Sequence, residues 1–178
     1  FTDRTVCAHC GWVPKKEMGI LASNQSTCVH CPTSNQKLAC GGTMSYPAMK
    51  EAGVDVRLGT DGAASNNSLD LRKEAKAASM IQRHDHWDAT ILDPVETWML
   101  ATKDSKDWVS WDLSDIRMRP LGRNGRRILA NLVYSDARCM DVFVGGKTVR
   151  RNGVTQTLDE KRIATNLEDA SIEYYRDI

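Results

Sequence analysis

The chain has 178 residues, of which 41% are hydrophobic and 26% are charged, the balance of an ordinary globular domain. Lysine and arginine total 24 against 23 aspartates and glutamates, so no broad field of one sign indicates nucleic acid or an anionic membrane as a partner. No apolar run approaches the roughly 20 residues of a membrane span, and nothing indicates export, so we expect a cytoplasmic protein.

Residues 1–106 alternate short apolar runs with helix-forming segments, a pattern typical of an α/β protein whose parallel sheet is buried on both faces. Apolar runs predict strands at residues 5–9, 26–30 and 54–58. Helix formers, prolines in the first turn and capping residues predict helices at residues 14–22, 46–53, 69–83 and 93–102.

Beyond Lys106 the pattern changes from strand–helix alternation to antiparallel structure. Residues 108–113 alternate like a strand, and residues 140–153 indicate a hairpin with Gly145-Gly146 near its turn. The arginine-rich stretch 117–127 is interpreted as a solvated loop rather than a phosphate site, the alternative, because the total charge of the chain is balanced. The tail from Asp159 onward has the pattern of an amphipathic helix.

Three polar residues lie at or just past the ends of the predicted strands: His9, His30 and Asp61. The carboxyl ends of parallel strands share one edge of a sheet, and in barrel enzymes reactive side chains collect there. Asp61 stands in the loop Gly59-Thr60-Asp61-Gly62, whose small residues leave it access to a metal or a water. A turn aspartate that bonds its own backbone is the alternative. Two histidines and an acid in register favour a functional site.

Two CxxC pairs allow a different interpretation. Cys7 with Cys10 and Cys28 with Cys31 have a spacing within the zinc-ribbon range, so a noncatalytic four-cysteine zinc module or binding module is an alternative function. Both pairs end apolar strand-like runs rather than the glycine-rich turns usual for zinc knuckles. Disulfides are less expected, because nothing indicates export.

Two longer motifs carry a family resemblance. The segments VHCPTSNQKL (residues 29–38) and GTDGAASNNSLD (residues 59–70) closely resemble the amidohydrolase superfamily. The nearest branch is that of the deaminases acting on S-adenosylhomocysteine and methylthioadenosine, with the related triazine chlorohydrolases. Shorter matches at Ala8-His9-Cys10, in the hairpin at residues 144–147 and at residues 157–160 fit the same pattern, so the resemblance covers nearly the whole chain.

The resemblance implies the C-terminal part of a metal-dependent TIM-like (β/α)8 barrel with a small β-sandwich segment and a C-terminal helix. Residues 1–106 would be the barrel portion with strands similar to the sixth, seventh and eighth, residues 107–156 the sandwich return segment, and residues 157–178 the C-terminal helix. A whole barrel needs about 250 residues. We therefore expect the chain to be incomplete before Phe1 and across Lys106-Asp107.

The resemblance also implies chemistry. Zn²⁺ or a similar divalent metal would be held by Asp61 and His9, which would also be the catalytic residues, with His30, Asn66 and Asn67 as substrate contacts. For Asn66 and Asn67 a structural role in the loop is the alternative. The substrate would be an adenine-type nucleoside that is hydrolytically deaminated; a chlorohydrolase or another aminohydrolase of a heteroaromatic ring is the alternative. The family's HxH pair, and its fifth-strand His and Glu, have no counterpart here, so we expect the segment alone to be inactive. Besides a small heteroaromatic substrate, a second copy of the chain is an open alternative as partner.

Overall fold

The computed structural model describes residues 1–177, and it divides the chain into two compact units. The first comprises Phe1–Asp104 and Arg117–Asp136, and the second comprises Ser105–Ile116 and the chain from Ala137 onward. This grouping differs from the division expected from the sequence, which places residues 117–136 within the segment 107–156. None of the described helices is both long enough and apolar enough to span a lipid bilayer.

A three-stranded parallel sheet forms the centre of the first unit. Its strands are β1 (Val6–Ala8), β2 (Thr27–His30) and β3 (Asp55–Leu58), in that spatial order, and the three predicted strands are thus confirmed. The register aligns Cys7 with Cys28 and Cys28 with Val56. The carboxyl ends of all three strands therefore lie at the same edge of the sheet, as the sequence predicts.

Helices connect these strands and follow the last of them. They are α1 (Lys15–Ser23), α2 (Pro32–Lys37), α3 (Tyr46–Glu51), α4 (Ala63–Asn66), α5 (Leu71–His86), α6 (Pro94–Thr102) and α7 (Gly125–Tyr134). The sequence predicted α1, α3, α5 and α6, and the Asp93 carboxylate caps α6 by accepting hydrogen bonds from the backbone N–H groups of Val95 and Glu96.

The helices α2, α4 and α7 were not predicted. Helices α2 and α4 are short and polar and show no apolar periodicity from which a helix could be read. The interpretation of residues 117–127 as a loop was wrong in part, because a 3₁₀ turn at Ile116–Met118 and the first turn of α7 occupy its two ends. The Asn124 side chain caps α7. The five arginines of this stretch are exposed, as expected.

The sheet buries one face, which corrects the prediction of burial on both. Cys28, Val56 and Leu58 lie on the buried face and pack in one apolar core with residues of α1, α3 and α5. On the other face, Val29 and Arg57 are only partly buried, and Val6 is 66% exposed. The alternation of strand side chains puts successive residues on opposite faces, and the described helices of the core cover only one of them.

The second unit is an antiparallel sheet followed by a helix. Its strands run in the order β4 (Trp108–Trp111), β5 (Cys139–Val144), β6 (Lys147–Arg151) and β7 (Val154–Thr155). The predicted hairpin is confirmed: Gly145 and Gly146 have φ of 55° and 77°, the pair of positive values that a type I′ turn requires. The predicted tail helix is α8 (Glu160–Tyr174), with a 3₁₀ turn at Tyr175–Asp177 after it.

Candidate active site

His9 and Asp61 face each other at the carboxyl edge of the parallel sheet. His9 follows β1 and Asp61 lies three residues beyond β3, and Nε2 of His9 is 3.9 Å from Oδ2 of Asp61. Both residues have left-handed backbone conformations, with φ of 68° and 58°. Such values are uncommon outside glycine and tend to occur at functional sites. Both side chains are partly exposed, so an ion or a small molecule has access to the pair.

Three donors hold the Asp61 carboxylate. Oδ2 accepts hydrogen bonds from the hydroxyls of Ser34, at 2.6 Å, and Ser65, at 2.9 Å, and Oδ1 accepts one from the backbone N–H of Gly62, at 2.8 Å. The hydrogen bond from Ser34 contributes most to keeping the pKa of Asp61 below its ordinary value, followed by those from Gly62 and Ser65. Asp61 is therefore a carboxylate at neutral pH, the form that binds a cation.

Asn35 contacts the nitrogen of His9 that faces away from Asp61. Oδ1 of Asn35 lies 2.6 Å from Nδ1 of His9. With the amide oxygen in this orientation, Nδ1 of a neutral imidazole carries the proton and donates it to Asn35. Nε2 then offers its lone pair on the side that faces Asp61. An imidazole nitrogen and a carboxylate oxygen in this arrangement can accept hydrogen bonds from one water or bind one divalent cation.

His30 ends β2 and is buried, whereas the side chains of His9 and Asp61 are partly exposed. Only 1% of the residue is exposed, and Nε2 lies 3.5 Å from the amide nitrogen of Gln82 in α5. Its Nδ1 is buried with no hydrogen-bond partner. Burial, with a smaller contribution from the charge of His9, lowers the pKa of His30 to about 4. His30 is therefore a neutral imidazole at physiological pH, and it faces the helices rather than the open edge of the sheet.

Asn66 and Asn67 lie in and just after the short helix α4, which follows the Asp61 loop. Asn66 is buried, and its side-chain amide donates to the backbone carbonyl of Thr60 at 2.7 Å and to Oε1 of Glu74 at 2.7 Å. Asn67 is exposed in a left-handed conformation, and its side-chain oxygen accepts a hydrogen bond from the Lys37 ammonium. Asn66 thus holds the Asp61 loop in place.

The four cysteines of the CxxC pairs do not form a metal site. Among the residues whose side chains the structure describes, 1–176, no three His, Cys, Asp or Glu side chains come together in a way that could hold a metal ion. Sγ of Cys10 lies 3.5 Å from Sγ of Cys28, and it donates to the backbone carbonyl of Cys7 at 3.4 Å. Burial raises the pKa of Cys10 and raises that of Cys28 to about 12. The geometry therefore gives the four-cysteine module no support.

Four residues in contact with the pair or its loops were not among the predicted site residues: Ser34, Asn35, Ser65 and Glu74. Ser34 and Asn35 fall within the motif VHCPTSNQKL that carries the family resemblance, so the signal for them was present in the sequence. Glu74 lies in α5 and is fully buried. A buried acid among helix formers has no local signature, because any exposed glutamate of a helix has the same sequence context.

A comparison with known protein families shows to which family the chain belongs. Residues 1–113 match the model of the amidohydrolase family. The chain belongs to the amidohydrolase family. The resemblance inferred from the two motifs is thereby confirmed.

Relatives of this amidohydrolase carry deaminase names. The chain is 36% identical to 5-methylthioadenosine/S-adenosylhomocysteine deaminase 1 of Archaeoglobus fulgidus, over 90% of the chain and 41% of that protein. It is 33% identical to 5′-deoxyadenosine deaminase of Methanopyrus kandleri, over 92% of the chain and 41% of that protein. This amidohydrolase chain thus spans about two fifths of the length of the curated relatives it matches.

Solved structures give the same fold. The zinc-bound crystal structure of an adenosine deaminase from Xanthomonas campestris matches with a TM-score of 0.84 and 29% identity, over 94% of the chain and 42% of that protein. An atrazine chlorohydrolase from Arthrobacter aurescens, complexed with zinc, matches with a TM-score of 0.81 and 20% identity, over 94% of the chain and 41% of that protein. The second likeness shows the fold alone. The α/β class and a partial TIM-barrel-like domain are confirmed.

Proposed function

We propose that the intact protein is a metal-dependent hydrolytic deaminase of an adenine-type nucleoside, such as S-adenosylhomocysteine, methylthioadenosine or adenosine. The observation that carries the proposal is the pairing of His9 Nε2 with Asp61 Oδ2 at the carboxyl edge of the sheet. The deaminase names of the relatives at 33–36% identity support this substrate class. The chlorohydrolase alternative has the weaker support, because that likeness is one of fold alone.

In this proposal β1, β2 and β3 are the sixth, seventh and eighth strands of a (β/α)8 barrel. The antiparallel sheet β4–β7 is part of the small β-sandwich, and α8 is the C-terminal helix. Reactive groups of such barrels lie at the carboxyl ends of the strands. The positions of His9 after β1 and of Asp61 after β3 are consistent with this arrangement.

The donor pair fits a divalent metal such as Zn²⁺. Two ligand atoms bound at about 2.0–2.2 Å to one tetrahedral ion lie roughly 3.4 Å apart. The observed 3.9 Å between Nε2 of His9 and Oδ2 of Asp61 requires only a small side-chain movement to reach that separation. The ionised carboxylate, and Nε2 of His9 in the tautomer that donates from Nδ1 to Asn35, have the electronic form that metal ligands need. A hydrolytic zinc site generally uses three protein ligands, so other residues of the intact protein would complete it.

When bound, the ion supplies Lewis acidity that makes a water acidic near neutral pH. Asp61 would hold the ion and accept the proton of the attacking water, which its partly exposed carboxylate can reach. Where other residues of the intact protein complete the ligands of the ion, the single lone pair of His9 Nε2 would instead accept a hydrogen bond from that water and orient it towards the ring carbon that bears the amino group. The hydrogen bonds on Asp61 make it a weaker base, so we infer that its larger contribution is to hold the cation.

The proposed substrate contacts remain His30, Asn66 and Asn67. His30 is neutral and has an unpartnered Nδ1, but a substrate would need a local opening to reach it. The amide of Asn66 is engaged within the protein, and Asn67 is the accessible member of the set. Asn67 is therefore the best supported of the three as a residue that touches substrate.

The test is ammonia release by the intact protein, reconstituted with zinc, from S-adenosylhomocysteine, methylthioadenosine, adenosine and a chlorotriazine. We expect ammonia from at least one nucleoside, no chloride release, and no turnover by the 178-residue segment alone. Chloride release without ammonia would replace the proposal with the chlorohydrolase alternative. Turnover by the isolated segment would show that His9 and Asp61 need no further ligands, which contradicts the proposed site.

A further inference from the structure

We propose that α2 positions the catalytic pair, with Ser34 a positioning residue for Asp61, Asn35 a positioning residue for His9, and Glu74 the anchor that fixes α2 to the Asp61 loop. The proposal rests on the proposed function. It assigns to residues outside the pair the task of fixing which atoms of His9 and Asp61 face each other.

Ser34 and Asn35 are consecutive residues, yet each reaches a different member of the pair. The Ser34 hydroxyl donates to Oδ2 of Asp61 at 2.6 Å, and Oδ1 of Asn35 lies 2.6 Å from Nδ1 of His9. Consecutive side chains on an α-helix diverge by about 100°. Helix α2 follows the central strand, β2. One turn of it therefore contacts both His9, which follows β1, and Asp61, which follows β3.

Ser34 is only 1% exposed, so its hydroxyl requires a partner inside the protein. The Asp61 carboxylate is that partner, and Oδ2, the oxygen that accepts the hydrogen bond from Ser34, is also the one that faces Nε2 of His9. The hydroxyl of Ser34 thus limits rotation of the carboxylate and keeps this oxygen directed towards His9.

Glu74 connects α2 to the Asp61 loop from below. It is fully buried, and Oε2 accepts from the backbone N–H of Thr33, in the first turn of α2, at 3.2 Å. Its other oxygen, Oε1, accepts from the side-chain amide of Asn66, which also donates to the carbonyl of Thr60, the residue before Asp61. One buried carboxylate therefore fixes the relative position of the two segments that carry Ser34 and Asp61.

The chemical consequence lies in the tautomer of His9. An acceptor at Nδ1 fixes the proton on that nitrogen and leaves the lone pair of Nε2 on the side of Asp61. Without Asn35 the neutral ring would populate both tautomers, and the Nε2–H form would present a proton where a cation or a water proton must bind. Asn35 therefore acts through His9 and has no contact with substrate in this proposal.

The decisive measurement is the ¹⁵N spectrum of the imidazoles in the metal-free intact protein at about pH 8, where an ordinary histidine is neutral. The His9 signals are assigned by their loss in His9→Asn. We expect a single Nδ1–H tautomer for His9. An Nε2–H tautomer, a mixture of tautomers, or a doubly protonated ring would each overturn the proposal. This measurement uses the wild-type α2 and is sufficient by itself.

Matched variants then test the role of each residue. Asn35→Leu removes the acceptor at similar volume, and Asn35→Asp retains it. We expect Asn35→Leu to give mixed tautomers, with zinc affinity and kcat about 10–100-fold lower and KM little changed, and Asn35→Asp to keep most of the wild-type kcat. Equal losses in the two variants would overturn the role of the acceptor.

The matched variants at Ser34 are Ser34→Ala and Ser34→Thr. The anchor is tested with Glu74→Gln. Ser34→Ala should lower zinc affinity about 10–100-fold while Ser34→Thr restores most of it. Glu74→Gln should shift the ¹⁵N signals of His9 and the ¹³C carboxyl signal of Asp61 together, because one Glu74 oxygen is replaced by an NH₂ group that faces an N–H donor. Unshifted signals would overturn the anchor. If the His9 tautomer is as expected but no nucleoside is deaminated, the proposed function fails and the positioning role stands.

Discussion

Nε2 of His9 and Oδ2 of Asp61 lie 3.9 Å apart although β2 separates the strands that these residues follow. Neighbouring strands are about 4.8 Å apart, so the two outer strands of this sheet lie roughly 10 Å from each other. The contact is made because both residues adopt left-handed conformations, with φ of 68° and 58°. Each chain segment thereby turns across the end of β2, and the two side chains meet there.

Asp61, and not the cysteines, should control metal binding in the intact protein. Asp61→Asn removes the charge, and we expect zinc affinity to fall by more than the roughly 10–100-fold that follows loss of a residue supporting a ligand. Replacing Cys7, Cys10, Cys28 and Cys31 with alanine should leave bound zinc at the wild-type stoichiometry. Metal analysis after dialysis checks both. Loss of zinc only in the cysteine variant would restore the four-cysteine module.

His9 should matter more to turnover than His30. Removing a group that orients or stabilises the reacting oxygen costs about 10²–10³-fold in kcat, and we expect a loss of that size for His9→Asn. His30 is buried against α5, so His30→Asn should lower stability more than kcat. Steady-state ammonia release, measured at a temperature where both variants are folded, separates the two. Near-normal turnover by His9→Asn, with no turnover by His30→Asn, would show that His30 and not His9 acts on the reacting water.

The stability of the fold should fall as pH drops from about 6.5 to about 4. Burial lowers the pKa of folded His30 to about 4 from an ordinary 6.5, so in this window the unfolded chain binds a proton that the folded chain does not. The contribution of His30 to the free energy of unfolding is fully present above pH 6.5, and roughly 3 kcal/mol of it is lost by pH 4. Urea unfolding across this range measures it. His30→Gln should remove this part of the slope, and an unchanged slope would contradict the burial of a neutral imidazole.

Gly59 should not tolerate a side chain. A Cβ at this position would lie 2.5 Å from Cγ1 of Val29 and 3.3 Å from Sγ of Cys31, at the start of the Asp61 loop. We expect Gly59→Ala to destabilise the protein by about 1–3 kcal/mol through overpacking. The matched control is Gly19→Ala in α1, where a Cβ meets nothing within 4 Å and should stabilise the protein by about 0.5–1 kcal/mol. Urea unfolding of the two variants measures the change in unfolding free energy relative to the wild-type protein. Changes of the same sign in both variants would contradict this packing.

The sequence by itself determined every strand but β7, five of the helices and the hairpin, and it singled out the two residues of the central pair. These features depend on residues that are close in the chain, such as the Asp93 cap of α6 or the glycine pair of the β5–β6 turn. Local propensity and periodicity are sufficient for them, because their hydrogen bonds and burial patterns repeat within a few residues. The family resemblance added the hypothesis that Asp61 and His9 bind a metal.

Only the tertiary structure decided how the surrounding side chains pair. Asn35 lies 26 residues from His9, and Ser34 lies 27 residues from Asp61. Such contacts depend on strand register and on backbone conformations that residue type does not specify, such as the positive φ of His9. His9 and His30 are equivalent positions in the sequence patterns of their strands. The His30 side chain follows the regular alternation and lies on the buried face of the sheet. The backbone of His9 departs from the extended conformation, and its side chain does not follow that alternation. The face on which a histidine ends is set by the backbone at the strand end, and the packing of the whole unit fixes that backbone.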